Sequence, residues 1–359
     1  MKKMKEYCIS IFIVVYLLLL IAYSEEIANY AIKAIQTCIY SIIPTLYIFM
    51  ITSDFIITSN IYILLSKPFA LISRYIFRIP EQLFPIYIIS NVGGYPIGAK
   101  LISDLQENNT IDSKTAQDMM SYCYMSGPAF IFGIVGTQIF SNINIGIIIF
   151  LSIVAANLVI AVIIGLKHPI PECYSTPITL NITLQNIIMS IYNGGKSIFR
   201  ICTIIIFFSS IICILETSGI ISFIAYTAET INSTDYSSII AFIKSFIEIS
   251  NISSFEAQIK NIPLIAALLS FGGICIVLQI KSIIKIISLK HFIFLRIVAM
   301  ILTYLICKLF CFISYNATFY VYSPAQITHS QNSPITTFFL LIMTILFLLK
   351  ISIENERKI

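Results

Sequence analysis

Long apolar runs, each close to the length of a membrane-spanning helix, alternate with short polar stretches along almost the whole chain. A spanning helix needs roughly 20 mostly apolar residues, so this pattern predicts a chain that crosses a membrane several times. The predicted spans are 7–23, 35–58, 83–103, 121–138, 143–166, 200–224, 237–250, 262–280, 291–313 and 334–351. We therefore predict an all-α fold, that of a polytopic transmembrane helical protein with the lipid bilayer as a partner.

Two of these runs are interrupted by residues that break helices. One contains NVGGYPIGAK at 91–100 and the other SFGGICIVLQ at 270–279. Inside a helix, Gly costs about 1 kcal/mol relative to Ala and Pro costs about 3 kcal/mol. Broken backbone at membrane depth persists only where it is buried in protein or lines a watery cavity. The pattern therefore predicts broken or re-entrant helices around a solute cavity.

The stretches between the spans have distinct characters. Segment 61–80 mixes apolar residues with three basic ones and is typical of an amphipathic helix in the membrane interface. Segment 104–120 is polar and predicts a small exposed helix capped by Asp112, with Lys114 and Asp118 one turn apart. Segment 167–183 contains three prolines and is interpreted as a linker.

The N-terminal segment 1–30 begins with basic residues and continues as an apolar run. We interpret it as a retained transmembrane helix or signal anchor. A cleaved signal peptide is the alternative, because Ala22 and Ser24 match a signal-peptidase site. Basic residues near both ends of the chain predict that both termini lie in the cytoplasm.

The linker separates two halves that resemble each other in the order of their features. The first half, 31–166, has AIKAIQ near its start and the Gly-Gly break of 91–100 further on, and the second half, 184–351, has GGKSIF and then the break of 270–279. Paired interruptions at matching places point to the binding site of a repeat-built transporter. Two ordinary helices with close-packing glycines remain the alternative. A polar tail, 352–359, ends the chain.

Composition agrees with a membrane protein. Hydrophobic residues make up 58% of the 359 residues and charged residues 11%, whereas soluble domains average about 25% charged. The net charge of +5 is not gathered into the dense basic stripe that nucleic acid requires, so we expect no nucleic-acid partner. None of the nine Cys forms a CxxC pair, and we expect no metal site.

The interrupted segments supply the candidate site. A half-helix that begins at the first break directs N–H groups and partial positive charge inward, which favours an anion, and Lys100 adds a full charge. A Lys that snorkels to the interface is the alternative. The candidate substrate-binding residues are Asn91, Gly93, Gly94, Tyr95, Pro96, Gly98, Lys100, Ser126, Gly127, Glu248, Asn251, Gly272, Gly273 and Gln279. We expect Glu248 either to pair with Lys100 in the empty state or to carry a proton, and Asn251 either to contact a solute or to cap a turn.

No catalytic residue or cofactor is predicted. The GKS at 195–197 lacks the first Gly of a Walker A loop, because Ser190 occupies that position, and no strand precedes it. The chain has neither GxSxG nor HExxH. We therefore expect a protein that is not an enzyme, and transport that is passive or driven by an ion gradient.

The chain resembles the YlbJ family of sporulation integral membrane proteins, also called SpoVV, within the wider group with nucleoside-recognition, or Gate, domains. The resemblance rests on GGYPIGAK at 93–100, SGP at 126–128, SFGG at 270–273 with Gln279, and FIEISNI at 246–252. It implies a protein of the membrane around the forespore that passes dipicolinic acid towards the spore. The flat aromatic dianion would suit helix N-termini, a cation, amide donors and Tyr95 for stacking.

Two other functions stay open. One is transport of a different small solute, such as a nucleoside. The other is a non-transporting membrane scaffold in spore assembly, which would need partner contacts but no polar interior, so the broken segments count against it. Homo-oligomerisation is left open as well.

Overall fold

The computed structural model describes residues 2–170, 180–232, 235–284 and 288–315, and throughout these ranges the regular structure is helical. The α-helical segments are α1 (Lys2–Ala22), α2 (Ser24–Thr37), α3 (Ile43–Thr58), α4 (Ile61–Ser66), α5 (Ala70–Ile72), α6 (Phe84–Gly93), α7 (Ile97–Glu107), α8 (Ser113–Met120), α9 (Pro128–Phe130), α10 (Ile143–Gly165), α11 (Leu184–Thr217), α12 (Ile220–Asn232), α13 (Tyr236–Ile247), α14 (Ile262–Phe271), α15 (Gly273–Ile283) and α16 (Leu289–Tyr315). The prediction of an all-α fold is confirmed.

Among the described residues, four helical stretches are long and apolar enough to cross a membrane. They are Ile143–Gly165, Leu184–Thr217, Ile259–Ile283 and Leu289–Ser314. Two bent pairs bring the number to as many as six. In one, Ile13–Ala22 meets Ser24–Ile42 at 90°, and in the other Leu46–Thr58 meets Ile61–Phe77 at 89°. The chain is therefore a polytopic helical membrane protein, as its apolar runs predict.

Several predicted spans match observed helices. Spans 143–166 and 291–313 correspond to α10 and α16 within a few residues. Span 83–103 is the broken helix α6–α7, and span 262–280 is the broken helix α14–α15. Span 334–351 and the tail 352–359 lie outside the described residues.

The predicted span 200–224 is wrong at both ends. Helix α11 begins at Leu184, where the side chain of Thr183 accepts a hydrogen bond from Asn186 N at 3.2 Å, and it ends before Gly219. Its two glycines at 194 and 195 do not stop the helix. A Cβ on Gly194 would lie 2.8 Å from Ile51 Cγ1, so this glycine lets α11 pack closely against α3.

Three further predicted spans differ from the structure. Span 35–58 begins inside α2 and includes a π-helical turn, Cys38–Ile42, before α3. Span 121–138 is helical only from Pro128. Most of that helical part, Ile131–Ile139, is π-helical. The first residues of the span, 121–127, form turns and irregular backbone, and the SGP segment there packs its backbone against the first Gly break. Span 237–250 ends early, since α13 stops at Ile247 and Glu248 is extended.

The polar segment 104–120 is docked on the fold rather than exposed along its length. Helix α8 buries Met119 and Met120. The predicted cap is confirmed, because Asp112 accepts a hydrogen bond from Thr115 N at 3.0 Å, and this bond lowers the pKa of the Asp112 carboxyl. Asp118 pairs with His168 Nε2 at 2.9 Å.

The described parts of the two halves pack against each other. Helix α11 of the second half packs along α2 and α3 of the first, and α10 packs on α14 and α16. Most of the predicted linker, 171–179, lies outside the described residues. The division into two repeated halves, like the interfacial placement of 61–80, stays a prediction.

Candidate functional site

The first break lies between α6 and α7. Gly94 has φ 75° and ψ −179°, a conformation essentially restricted to glycine. A Cβ there would lie 2.3 Å from Gly127 N, so the break packs directly against the backbone of the SGP segment. Tyr95 N donates to Met125 O at 2.7 Å. The two interrupted segments of the first half therefore form one packed unit.

The second break lies between α14 and α15. Gly272 and Gly273 both have positive φ, 83° and 80°. A Cβ on Gly273 would lie 3.1 Å from Ser245 O, near the end of α13. Each Gly break is therefore held against a second place where the chain leaves helical conformation.

The two breaks meet in the middle of the molecule. A Cβ on Gly272 would lie 3.2 Å from Tyr95 Cε1 and 2.3 Å from Tyr124 Oη. Tyr124 Oη donates to Phe271 O at 2.7 Å, satisfying a carbonyl at the second break. The rings of Tyr95 and Tyr124 lie 5.1 Å apart, tilted by 31°. The two breaks therefore lie close together, with the rings of Tyr95 and Tyr124 between them.

A cavity of about 200 Å³ opens beside the first break. Four candidate residues line it: Gly93, Tyr95, Ser126 and Gly127. The opposite wall comes from the π-helical turn Cys38–Ile42 and the start of α3, and another wall from the π-helical segment Ile131–Ile139. π-Helical turns are frequent at functional sites. The lining is completed by Tyr40, Ser41, Ile42, Leu46, Phe49, Val92, Ala129, Phe130, Gly133, Ile134, Gln138 and Ile249.

Lys100 does not line this cavity, and its partners differ from those expected. Its ammonium group forms ion pairs with Asp54 of α3 and, at 2.7 Å, with Asp104 one turn along α7. Asp54 is 1% exposed and also accepts a hydrogen bond from Asn193 of α11 at 3.3 Å. The structure therefore gives Lys100 a role in joining α3, α7 and α11 through a buried carboxylate. A contact of Lys100 with solute stays a prediction.

Glu248 is buried and pairs with its own turn rather than with Lys100. Its carboxylate accepts hydrogen bonds from Ser250 N at 3.0 Å, from the Ser250 hydroxyl, and from Asn251 Nδ2 at 3.0 Å. The cap of this turn is Glu248 rather than Asn251, and a contact of Asn251 with solute stays a prediction. The neighbour of Glu248, Ile249, lines the cavity, so this buried carboxyl group belongs to a residue directly next to the cavity wall.

The remaining candidate residues are buried around the two breaks. Asn91 donates to Tyr87 O at 2.7 Å, and Gln279 donates to Cys275 Sγ at 3.4 Å. The side-chain oxygens of both amides are buried without a partner in the described part of the chain. Pro96 precedes α7, and Gly98 allows α7 to approach the carbonyl oxygen of Cys123.

Arg296 of α16 is the residue that reasoning from the sequence missed. It is fully buried, and its guanidinium lies 4.8 Å from the centre of the Tyr124 ring. It donates to Ser121 O, Asn157 Oδ1, Ser270 O and Ser270 Oγ at 2.8–3.1 Å. The available signal was its place inside the apolar run 291–313, since an ionisable residue inside a span marks a functional site by default.

Comparison with known proteins finds one local similarity. A stretch of 108 residues, 30% of this chain, is 32% identical to the sporulation integral membrane protein YlbJ of Bacillus subtilis (strain 168). The matched stretch spans 26% of that relative's length. No family model matches the chain. No solved structure matches it. The chain is thus a polytopic membrane protein with local similarity to a sporulation membrane protein.

Proposed function

We propose that this protein is a sporulation membrane transporter that passes dipicolinate across the outer of the membranes that surround the forespore. The observation that carries the proposal is the meeting of two Gly-broken helices at Tyr95 and Tyr124, next to a cavity. Transporters built from repeats place their solute at such a meeting of discontinuous helices. The local similarity to a sporulation integral membrane protein supports the cellular setting.

The polar groups at the breaks suit a flat aromatic dianion. Tyr95 offers a ring face at the cavity wall, and Ser126 and the backbone around Gly93 and Gly127 offer polar atoms. Arg296 provides positive charge behind the ring pair. A transporter needs no reacting group at this place, and the proposal assigns none.

The proposal includes an internal repeat, which the lengths of the broken helices support. Helices α6 and α7 have 10 and 11 residues, and α14 and α15 also have 10 and 11. A short 3-10 turn precedes each pair, and each pair has a Pro in the first turn of its first helix, Pro85 and Pro263. A scaffold would have no need for two matched broken helices buried in its centre.

A deletion in a spore-forming host tests the proposed function. We expect spores poor in dipicolinate, while the mother cell still synthesises it and accumulates it. Measuring dipicolinate separately in spores and in mother-cell lysate distinguishes failed passage from failed synthesis. Normal dipicolinate in spores of a clean deletion strain would refute the proposal, and spores with normal dipicolinate but defective assembly would favour the scaffold.

A further inference from the structure

Arg296 carries a buried charge that no carboxylate balances within the described part of the chain. All four of its hydrogen bonds go to neutral acceptors, two backbone carbonyls, an amide and a hydroxyl. Its Nε is buried without a partner.

An isolated buried charge is costly and is usually paired with an opposite charge. Inside a membrane protein, such residues are rare and mark solute or ion pathways. The guanidinium presents donors in a rigid fork that matches a carboxylate. Arg296 therefore has the chemistry of an anion site, with neutral groups holding the fork in place while no anion is bound.

Two rings separate this cation from the cavity. Arg296 lies against the face of Tyr124, Tyr124 packs against Tyr95, and Tyr95 lines the cavity. Tyr95 is itself buried. Arg296 and the cavity are therefore linked by two successive ring contacts.

We infer that Arg296 is the cation of a carboxylate-binding site that Tyr95 and Tyr124 close off from the cavity. This inference deepens the proposed function and rests on it for the identity of the solute as an aromatic dicarboxylate. It assigns the positive charge of the site to Arg296 rather than to Lys100, whose charge is already balanced by Asp54 and Asp104.

The test introduces a carboxylate side chain next to Arg296, which should occupy the place of a bound anion. Asn157 Oδ1 already lies 3.1 Å from an Arg296 nitrogen, so Asn157→Asp places a negative charge there with almost no change in shape. Asn157→Ala is the uncharged control: both changes remove the hydrogen bond that Asn157 Nδ2 donates to Tyr124 O at 3.1 Å, and only the Asp variant adds a charge. Ser270→Asp and Ser270→Asn form a second such pair, because Ser270 Oγ lies 3.1 Å from the other terminal nitrogen. The second pair keeps the test decisive if one variant fails to fold.

The measurement is ligand-induced thermal stabilisation of the purified full chain. The probes are dipicolinate, its neutral diamide and benzoate. We expect the wild type to bind the two carboxylates and not the diamide. Each Asp variant should bind them about 30-fold or more weakly than its matched Ala or Asn control, the scale for losing a buried charge pair. The Asp variants should also fold at least as stably as their controls.

The outcomes separate this inference from the proposed function. Binding of benzoate but not dipicolinate by the wild type, lost in both Asp variants, would support the anion site and refute dipicolinate as the solute. Equal binding of carboxylates by the Asp variants and their controls would overturn the role of Arg296. Equal binding of dipicolinate and its diamide, or no carboxylate binding by the wild type, would overturn it as well.

Discussion

Gly94→Ala tests whether the first break is a built feature of the fold. The backbone at Gly94 has φ 75° and ψ −179°, a region that a residue with a Cβ rarely occupies. The added methyl group would lie 2.3 Å from Gly127 N and 2.6 Å from Gly127 Cα. Both contacts are with backbone, which cannot move aside as the end of a side chain can.

The structure sets the size of the effect. Holding a residue with a side chain in such a conformation costs about 1–3 kcal/mol. Forcing an extra carbon into a filled interior typically costs about 1–3 kcal/mol more, and here the overlap is over 1 Å relative to ordinary contacts of about 3.5–4.0 Å. We therefore expect Gly94→Ala to destabilise the protein by roughly 2–6 kcal/mol, a large share of the 5–15 kcal/mol typical of a folded protein.

The assay compares thermal unfolding of purified variants in one detergent, together with their abundance in membranes. Gly195→Ala is the matched control, because a Cβ on Gly195 meets nothing within 4 Å and the residue lies inside α11. This control should be stabilised by up to about 1 kcal/mol, the helix preference of Ala over Gly. If Gly94→Ala unfolds at the same temperature as Gly195→Ala, the packed break described here is wrong.

Three further predictions follow from other parts of the molecule. Lys100→Gln should destabilise the fold by about 3–5 kcal/mol, because it leaves Asp54 buried and unpaired, and adding Asp54→Asn should restore most of the loss in thermal unfolding; no recovery would argue against the pair. Asp112→Ala should cost about 0.5–2 kcal/mol by removing the cap of α8. Because the pKa of Asp112 is lowered in the folded state, its ionised-cap contribution should be present above the ordinary pKa and fall away as the pH drops through the lower folded value. Hydrogen exchange of the α8 amides at neutral and acidic pH measures this, and Asp112→Asn should remove the pH dependence. Reporter fusions should place both termini in the cytoplasm, which requires an even number of membrane crossings. Termini on opposite sides of the membrane would contradict this prediction.

The fold class and the first break could be read from the sequence because both depend on local composition. Apolar runs of span length predict helices in a membrane, and NVGGYPIGAK carries enough Gly and Pro to end a helix wherever it lies. The cap at Asp112 is equally local, since the carboxylate and the N–H that it accepts from are three residues apart. The start of α11 could not be read this way. Its two glycines favour a break by composition, and only the neighbouring α3 shows that Gly194 serves close packing.

Local composition could point to the candidate site only in part. The Gly and Ser residues at the breaks lie where the chain is interrupted, so sequence pattern found them. One of the two partners of Lys100, Asp54, is 46 residues away on another helix. No sequence pattern connects these two residues. Arg296 was passed over because it lies in an uninterrupted apolar helix, and its importance depends on Ser121, Asn157 and Ser270 converging around it.

The most direct test of the central claim is dipicolinate flux through the purified full chain in proteoliposomes. Vesicles containing the wild type should release or take up dipicolinate well above empty vesicles, and above vesicles containing the Asn157→Asp variant. A panel that includes nucleosides should show selectivity for the aromatic dicarboxylate. Flux of dipicolinate no faster than in empty vesicles would contradict the account, and flux of a nucleoside in its place would assign the same central cavity to a different solute.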